Sequence, residues 1–108
     1  MITIKKPNTF GENLRCLRES FGLTLKVVSE KIGIDTSLLA KIERNERQPT
    51  KQIINQVARF FDVDEKELQK DFLSDLIAYR ILDEEADVSI LKIAEEKVKY
   101  LKTIYNGK

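Results

Sequence analysis

The chain has 108 residues, 42% of them hydrophobic and 34% charged, a composition typical of a folded domain with a charged surface. No apolar run approaches the roughly 20 residues of a membrane-spanning helix, and the N-terminus lacks the apolar core of a signal peptide. Histidine, the commonest general base and metal ligand, is absent. We therefore expect no enzyme, no metal site, no cofactor and no membrane insertion.

The cysteine count and the charge distribution indicate the cellular compartment and the kind of partner. The single cysteine, Cys16, cannot form an internal disulfide, which is typical of a cytoplasmic protein, and we expect it to be buried or half-buried in a helix. Residues 1–51 contain ten Lys/Arg against six Asp/Glu, whereas residues 52–108 contain nine against twelve. This asymmetry predicts that the first half meets an anionic partner.

Apolar spacing and capping residues predict an all-α fold, since strand patterns are nearly absent. Two capping boxes are expected, Thr9 with Glu12 and Asp64 with Glu67. The predicted helices run from Thr9 to about Phe21, from Leu25 to Ile32, over about ten residues from Asp35, from about Lys51 to Phe61, from Asp64 to about Leu82 and from Asp87 to about Tyr105.

The second and third predicted helices are short and are joined by a tight turn that contains Gly33. This is the form of a helix-turn-helix, whose second helix enters the major groove of DNA. At 100° per residue, one outward face of the third helix combines small side chains with cations and has no carboxylate: Thr36, Ser37, Ala40, Lys41 and Arg44. An ordinary solvated face is the alternative, and this helix alone does not decide between the two.

The segment LTLKVVSEKIGIDTSLLAKIERNERQP resembles the helix-turn-helix of the XRE family, which includes phage repressors, Cro proteins and restriction–modification controller proteins. The matching residues are Leu23, Thr24, Ser29, Gly33, Ile42, Glu43, Arg47 and Pro49. The resemblance covers about residues 9–68 and implies a five-helix lambda-repressor-like DNA-binding domain. Residues 69–105 would then form a C-terminal helical extension.

The resemblance also implies roles for individual residues. Thr36, Ser37 and Lys41 would contact bases, with Ala40 allowing close approach, while Arg44 and Arg47 would contact phosphates. The family often has Gln at the position of Leu25, and the adjacent Lys26 could supply a phosphate contact instead. Glu43, at the edge of the apolar stripe, would form a buried ion pair with Arg18, which we interpret as structural. Asn45 stands where Gly is usual and tolerates the left-handed conformation.

The extension is expected to bury its apolar residues against a second copy of the chain. The last helix has apolar residues at heptad spacing. The residues expected at the dimer interface are Leu76, Tyr79, Leu91, Val98 and Leu101. Packing of these residues on the protomer's own core is the alternative. The function expected is a homodimeric transcription regulator that binds an inverted-repeat operator of double-stranded DNA, controls restriction–modification genes and has no small-molecule ligand. The second hypothesis is an antitoxin-type module, whose last helix would be apolar and exposed in the free protein.

Overall fold

The structure, a computed structural model, describes residues 8–106. Within this range the regular elements are six helices: α1 Phe10–Ser20, α2 Leu25–Ile32, α3 Thr36–Glu43, α4 Lys51–Phe61, α5 Glu65–Asp83 and α6 Ile90–Asn106. The all-α prediction is confirmed, and the predicted bounds of α2 and α4 match those of the structure. The N-terminal segment predicted to lack a signal-peptide core lies largely outside the described residues. No helix in the described range has the length and apolarity needed to cross a bilayer.

The side-chain caps predicted at the starts of three helices differ from the structure. Asp35 is the N-cap residue of α3, but its side chain accepts no capping hydrogen bond. The Asp64–Glu67 box is wrong, because Asp64 Oδ1 accepts from the Lys66 N–H at 2.8 Å. Asp87 instead accepts from the Ser89 N–H at 2.8 Å, so it caps a short turn and α6 begins only at Ile90.

The expected length of α3 and the expected burial of Cys16 on α1 are also wrong. α3 has eight residues and ends at Glu43, so Arg44 is the residue that follows its last turn. Cys16 is exposed on α1. It lies between Leu14 and Leu17, which are buried, and the helical repeat turns the thiol away from their side of α1.

The described residues form two compact units, with the division between Asp75 and Leu76. In the first unit, α1 packs on α3, and α2 packs on both α3 and α4. The buried apolar residues of this core are Phe10, Leu14, Leu17, Val28, Ile32, Leu39, Ile42, Ile53, Ile54, Val57, Ala58, Phe61 and Leu68. Phe72, on α5, packs edge-to-face on Phe10 with ring centroids 5.8 Å apart. The core therefore holds α2 and α3 in a fixed relation.

The N-terminus of α1 is held by residues from three parts of the first unit. Thr9 and Glu12 form the predicted capping box. Asn45 Oδ1 accepts from the Gly11 N–H at 3.2 Å, and Asn45 Nδ2 donates to Thr9 Oγ1 at 2.8 Å. Asp75 Oδ2 accepts from the Phe10 N–H at 2.8 Å. The first N–H groups of α1, which lack a partner within the helix, are thus satisfied by the local cap and by two tertiary contacts.

Gly11 lets α1 approach the end of α3 closely. A Cβ atom at this position would lie 2.6 Å from the Glu43 carbonyl oxygen and closer still to that of Ile42. Asn45, two residues after Glu43, has a φ of 62° and so takes the left-handed conformation that a glycine usually provides. Its side chain then forms the two bonds to the start of α1, which a glycine cannot make.

The second unit comprises the end of α5 and α6. No residue of α6 is buried. A groove of about 460 Å³ is lined mainly by apolar side chains, Leu76, Ile77, Ile81, Ile90, Leu91 and Ala94, together with Arg80. The exposed fractions of Leu91, Val98 and Leu101 are 43%, 50% and 43%. A large apolar surface is therefore open to solvent in this unit of a single protomer.

Candidate nucleic-acid interface

α2 and α3 are joined by a turn whose geometry depends on Gly33. Thr24 caps the start of α2 by accepting from the Val27 N–H at 3.1 Å. Gly33 ends α2 with a φ of 77°, which is left-handed, and the Ile34 N–H donates to the Ser29 carbonyl at 3.0 Å. Three residues then separate the end of α2 from the start of α3. The sequence folds here into two short helices with a tight glycine turn.

The structure leaves most of the predicted DNA-contacting residues open to solvent. Thr36, Ser37 and Lys41 are exposed on α3, and Ala40 is half-buried between them. The cations outside α3 are exposed as well: Lys26 on α2, Arg44 directly after α3 and Arg47 in the following loop. Within α3, the one carboxylate is that of Glu43, which is buried. The exposed side of this helix therefore offers hydroxyls and a cation, and α3 itself places no carboxylate there.

Arg44 has a carboxylate partner that the sequence analysis missed. Its guanidinium donates to Glu46 through Nε at 2.9 Å and through Nη2 at 3.1 Å. Both side chains are more than half exposed, and the hydrogen bonds from Arg44 lower the pKa of the Glu46 carboxyl. A phosphate that binds Arg44 would have to compete with Glu46. Helical periodicity cannot reveal this pair, because its members are two residues apart beyond the end of the helix.

A hydroxyl–hydroxyl contact links the two helices. Ser29, fully buried on α2, has its Oγ 2.8 Å from the Oγ1 of Thr36, which is the first residue of α3. The same Ser29 hydroxyl donates to the Lys26 carbonyl at 3.0 Å. In the sequence Ser29 stands out only as a residue of the family motif, so the structure adds a polar connection between α2 and an exposed hydroxyl of α3.

Arg18 and Glu43 lie together below this surface. Arg18 Nε donates to Glu43 Oε2 at 2.7 Å and Arg18 Nη2 donates to Glu43 Oε1 at 3.0 Å. The side chains are 11% and 4% exposed. Arg18 Nη1 also donates to the Leu23 carbonyl at 2.8 Å. One guanidinium therefore connects α1, the loop before α2 and the end of α3, and its hydrogen bonds with Glu43 raise the pKa of Arg18.

A family profile described as a helix-turn-helix domain matches residues 11–70. The chain belongs to the XRE-like helix-turn-helix family. This helix-turn-helix protein has the fold of a DNA-binding transcription regulator. No curated protein matches it significantly.

Solved structures of helix-turn-helix proteins are similar to this one. The restriction-modification controller protein C.AhdI from Aeromonas hydrophila is 32% identical; the match covers 55% of this chain and 89% of that chain, with a TM-score of 0.52. Two others show the fold alone. The clp gene regulator ClgR from Corynebacterium glutamicum is 15% identical over 92% of each chain, with a TM-score of 0.54. The SinR protein/SinI protein complex matches at 22% identity over 88% of this chain and 99% of that chain, with a TM-score of 0.53.

Proposed function

We propose that this protein is a transcription regulator that reads a specific operator in double-stranded DNA with α3. The observation that carries the proposal is the exposed side of α3, where Thr36, Ser37 and Lys41 face solvent and the helix has no exposed carboxylate. Lys41 is long enough to bond a guanine edge, and the two hydroxyls are small enough to let the backbone approach the bases. Phosphates would be bound by Lys26, Arg44 and Arg47, which flank this surface and set the register on the duplex.

DNA binding by α3 is tested with a retention assay on duplex DNA at several salt concentrations. We expect affinity to fall steeply with salt, because phosphate neutralisation releases counterions. Lys41→Ala should weaken specific sites by roughly 1–3 kcal/mol. Lys70→Ala, which removes an exposed lysine from α5, is the matched control and should change specific binding little. Unchanged retention of the Thr36/Ser37/Lys41 triple alanine variant would show that α3 is not the recognition helix.

The protein is also proposed to act as a homodimer. Two recognition helices must reach successive major grooves on one side of the duplex, roughly 34 Å apart. α6 supports a paired helix, because Leu91, Val98 and Leu101 share heptad spacing and are each more than 40% exposed in the protomer. A two-fold axis through residues of the second unit, with Leu76 and Tyr79 from α5, would require an inverted repeat in the operator.

The dimer is tested by changing Val98 and Leu101 together to Asp, which introduces carboxylates into the proposed seam. Sedimentation should then show loss of the dimer, and operator affinity should fall strongly while weak non-specific binding remains. Thr103→Asp, which puts a carboxylate on the other side of α6, is the control and should stay dimeric. A double variant that remains dimeric and binds normally would move the two-fold axis elsewhere.

The alternative function is an antitoxin-type module in which α6 covers a different protein and the helix-turn-helix regulates its own synthesis. The observation favouring it is the same exposed apolar surface of the second unit. The two functions differ in the free protein. In a dimeric regulator α6 is buried in the dimer and should not bind a hydrophobic dye. In an antitoxin without its partner, α6 stays exposed and should bind the dye.

The target genes are proposed by likeness to the restriction-modification controller C.AhdI, which shares 32% identity over the matched region. We propose that this cytoplasmic protein controls restriction–modification genes. Sequencing of duplexes that the purified protein selects from a random pool would give the operator. Absence of that operator near any restriction or methyltransferase gene would contradict this assignment while leaving DNA binding intact.

A further inference from the structure

The direction of the hydrogen bond between Ser29 and Thr36 follows from the third atom in the chain. A hydroxyl has one proton, and a backbone carbonyl can only accept. Ser29 Oγ lies 3.0 Å from the Lys26 carbonyl oxygen and 2.8 Å from Thr36 Oγ1, and both contacts are hydrogen bonds only when the Ser29 proton is directed at the carbonyl. The proton in the 2.8 Å contact between the two hydroxyls must then come from Thr36.

This direction fixes the chemistry that Thr36 presents outside the protein. Its proton points into the first unit, so its oxygen has only lone pairs to offer to solvent or to a ligand. Thr36 is exposed at the start of α3, and a β-branched side chain held by such a bond keeps one rotamer. Without Ser29, the hydroxyl would turn freely and could either donate or accept.

We propose that Ser29 is a specificity-determining residue, which makes Thr36 an obligate acceptor towards the major groove. The proposal deepens the function given above and rests on α3 being the recognition helix. An acceptor pairs with the exocyclic amino group of adenine or cytosine and is repelled by the keto oxygen of thymine or guanine. On the strand that Thr36 faces, the protein should therefore prefer an amino base to a keto base at one position.

The role of Ser29 is tested in two stages. The first is selection of duplexes from a random pool by the wild-type protein. Selection with Thr36→Val, which keeps the shape but has no hydroxyl, identifies the base pair that Thr36 reads as the position whose preference disappears. The affinities of the wild type, Ser29→Ala and Ser20→Ala are then measured for all four base pairs at that position. Ser20 is the matched control, since its hydroxyl also donates to a carbonyl three residues earlier, that of Leu17, at 2.7 Å.

We expect the wild type and Ser20→Ala to separate amino from keto bases by roughly fivefold or more, the low end for a specific base contact. Ser29→Ala should bring this ratio to about one while its circular dichroism spectrum and its binding to the remaining positions stay unchanged. The proposal is overturned if Ser29→Ala keeps the wild-type ratio, if Thr36→Val selects the wild-type sequence, or if Ser29→Ala is not folded. Failure of the wild type to select any sequence would instead contradict the proposed function.

Discussion

Arg18 holds Glu43 in a two-point ion pair, with a further bond from Arg18 to the Leu23 carbonyl. The pair is almost fully shielded from water, so loss of one partner leaves an uncompensated charge in a poorly solvated site. Arg18 joins three segments that position α2 and α3. We therefore interpret the pair as structural.

Replacement of Glu43 by Ala should lower the free energy of unfolding by about 3 kcal/mol or more. Two controls separate burial from charge. Glu46→Ala breaks the solvent-exposed pair with Arg44 and should cost far less stability than Glu43→Ala, and Lys41→Ala should barely change stability. Denaturant unfolding of the three variants gives the comparison. If Glu43→Ala were as stable as Glu46→Ala, the structural interpretation of Glu43 would be wrong.

Gly11→Ala should destabilise the protein although alanine is the better helix former. Intrinsic propensity alone predicts a gain of about 1 kcal/mol. We expect instead a loss of roughly 1–3 kcal/mol, because the added methyl group overlaps backbone carbonyl oxygens at the end of α3. Thermal unfolding measures the sign.

Gly22 provides the contrast to Gly11. A Cβ atom there meets no atom within 4 Å, but the φ of 67° is left-handed. Gly22→Ala should therefore lose stability for a conformational reason, and Gly22→Asn should recover part of it because asparagine tolerates this conformation. Gly11→Asn should show no such recovery. Equal behaviour of the two asparagine variants would argue against the steric explanation.

Glu46→Gln should increase affinity for DNA. The change removes one negative charge beside the proposed phosphate contacts and weakens the bidentate hold on Arg44. Glu67→Gln, which alters a more exposed pair with Lys70 on α5, is the control for net charge. Affinity measured at two salt concentrations should rise more for Glu46→Gln than for Glu67→Gln. Equal changes would mean that Arg44 is not restrained by Glu46.

Asp71→Asn should stabilise the protein at neutral pH. Burial raises the pKa of Asp71, the hydrogen bond from Asn13 opposes this, and the charge of Asp75 adds to the rise. A raised pKa in the folded state means that stability present below the unfolded pKa, about 3.9, is lost as the pH rises through the folded value. The advantage of the variant should be full at pH 7 and shrink as the pH falls.

Glu12→Gln should show the opposite sign in the same pH series. Hydrogen bonds from Thr9 lower the pKa of Glu12, so the carboxylate contributes stability above its unfolded pKa and loses it on acidification. This variant should be less stable than the wild type at pH 7 and approach it at low pH. Urea unfolding between pH 3 and pH 7 measures both differences. If the stability difference from the wild type changed with pH in the same direction for both variants, the burial of Asp71 would be contradicted.

Local patterns in the sequence were sufficient to predict the helix-turn-helix. The apolar spacing and Gly33 define the bounds of α2, whereas the contact of Glu43 with Arg18 was predicted from the family resemblance. The predicted α3 ended too late, because the sequence does not show at which residue its last turn gives way to the following loop. Cys16 was predicted to be buried because cysteines usually are. The helical repeat, which places Cys16 outside the buried stripe of Leu14 and Leu17, would have predicted its exposure correctly.

Contacts between distant parts of the chain were not predictable from periodicity. Asp71 accepts from Asn13 across 58 positions, and Asp75 accepts from Phe10 across 65. Both carboxylates lie on a helix that looked, from its sequence, like part of an extension. The contact between Ser29 and Thr36 spans only seven positions, but it depends on the angle between two helices and on the path of the turn.

The acidic residues of α5 have a consequence for how the chain can be divided. A fragment that stopped after residue 70, where the family match ends, would lack Asp71, Phe72 and Asp75. The Phe10 N–H would then face water, Asn13 would lose its acceptor and the Phe10 ring would lose an aromatic neighbour. A protease that cuts α5 before Asp75 should therefore loosen α1, and a recombinant DNA-binding fragment needs to extend through Asp75 to keep its first helix intact.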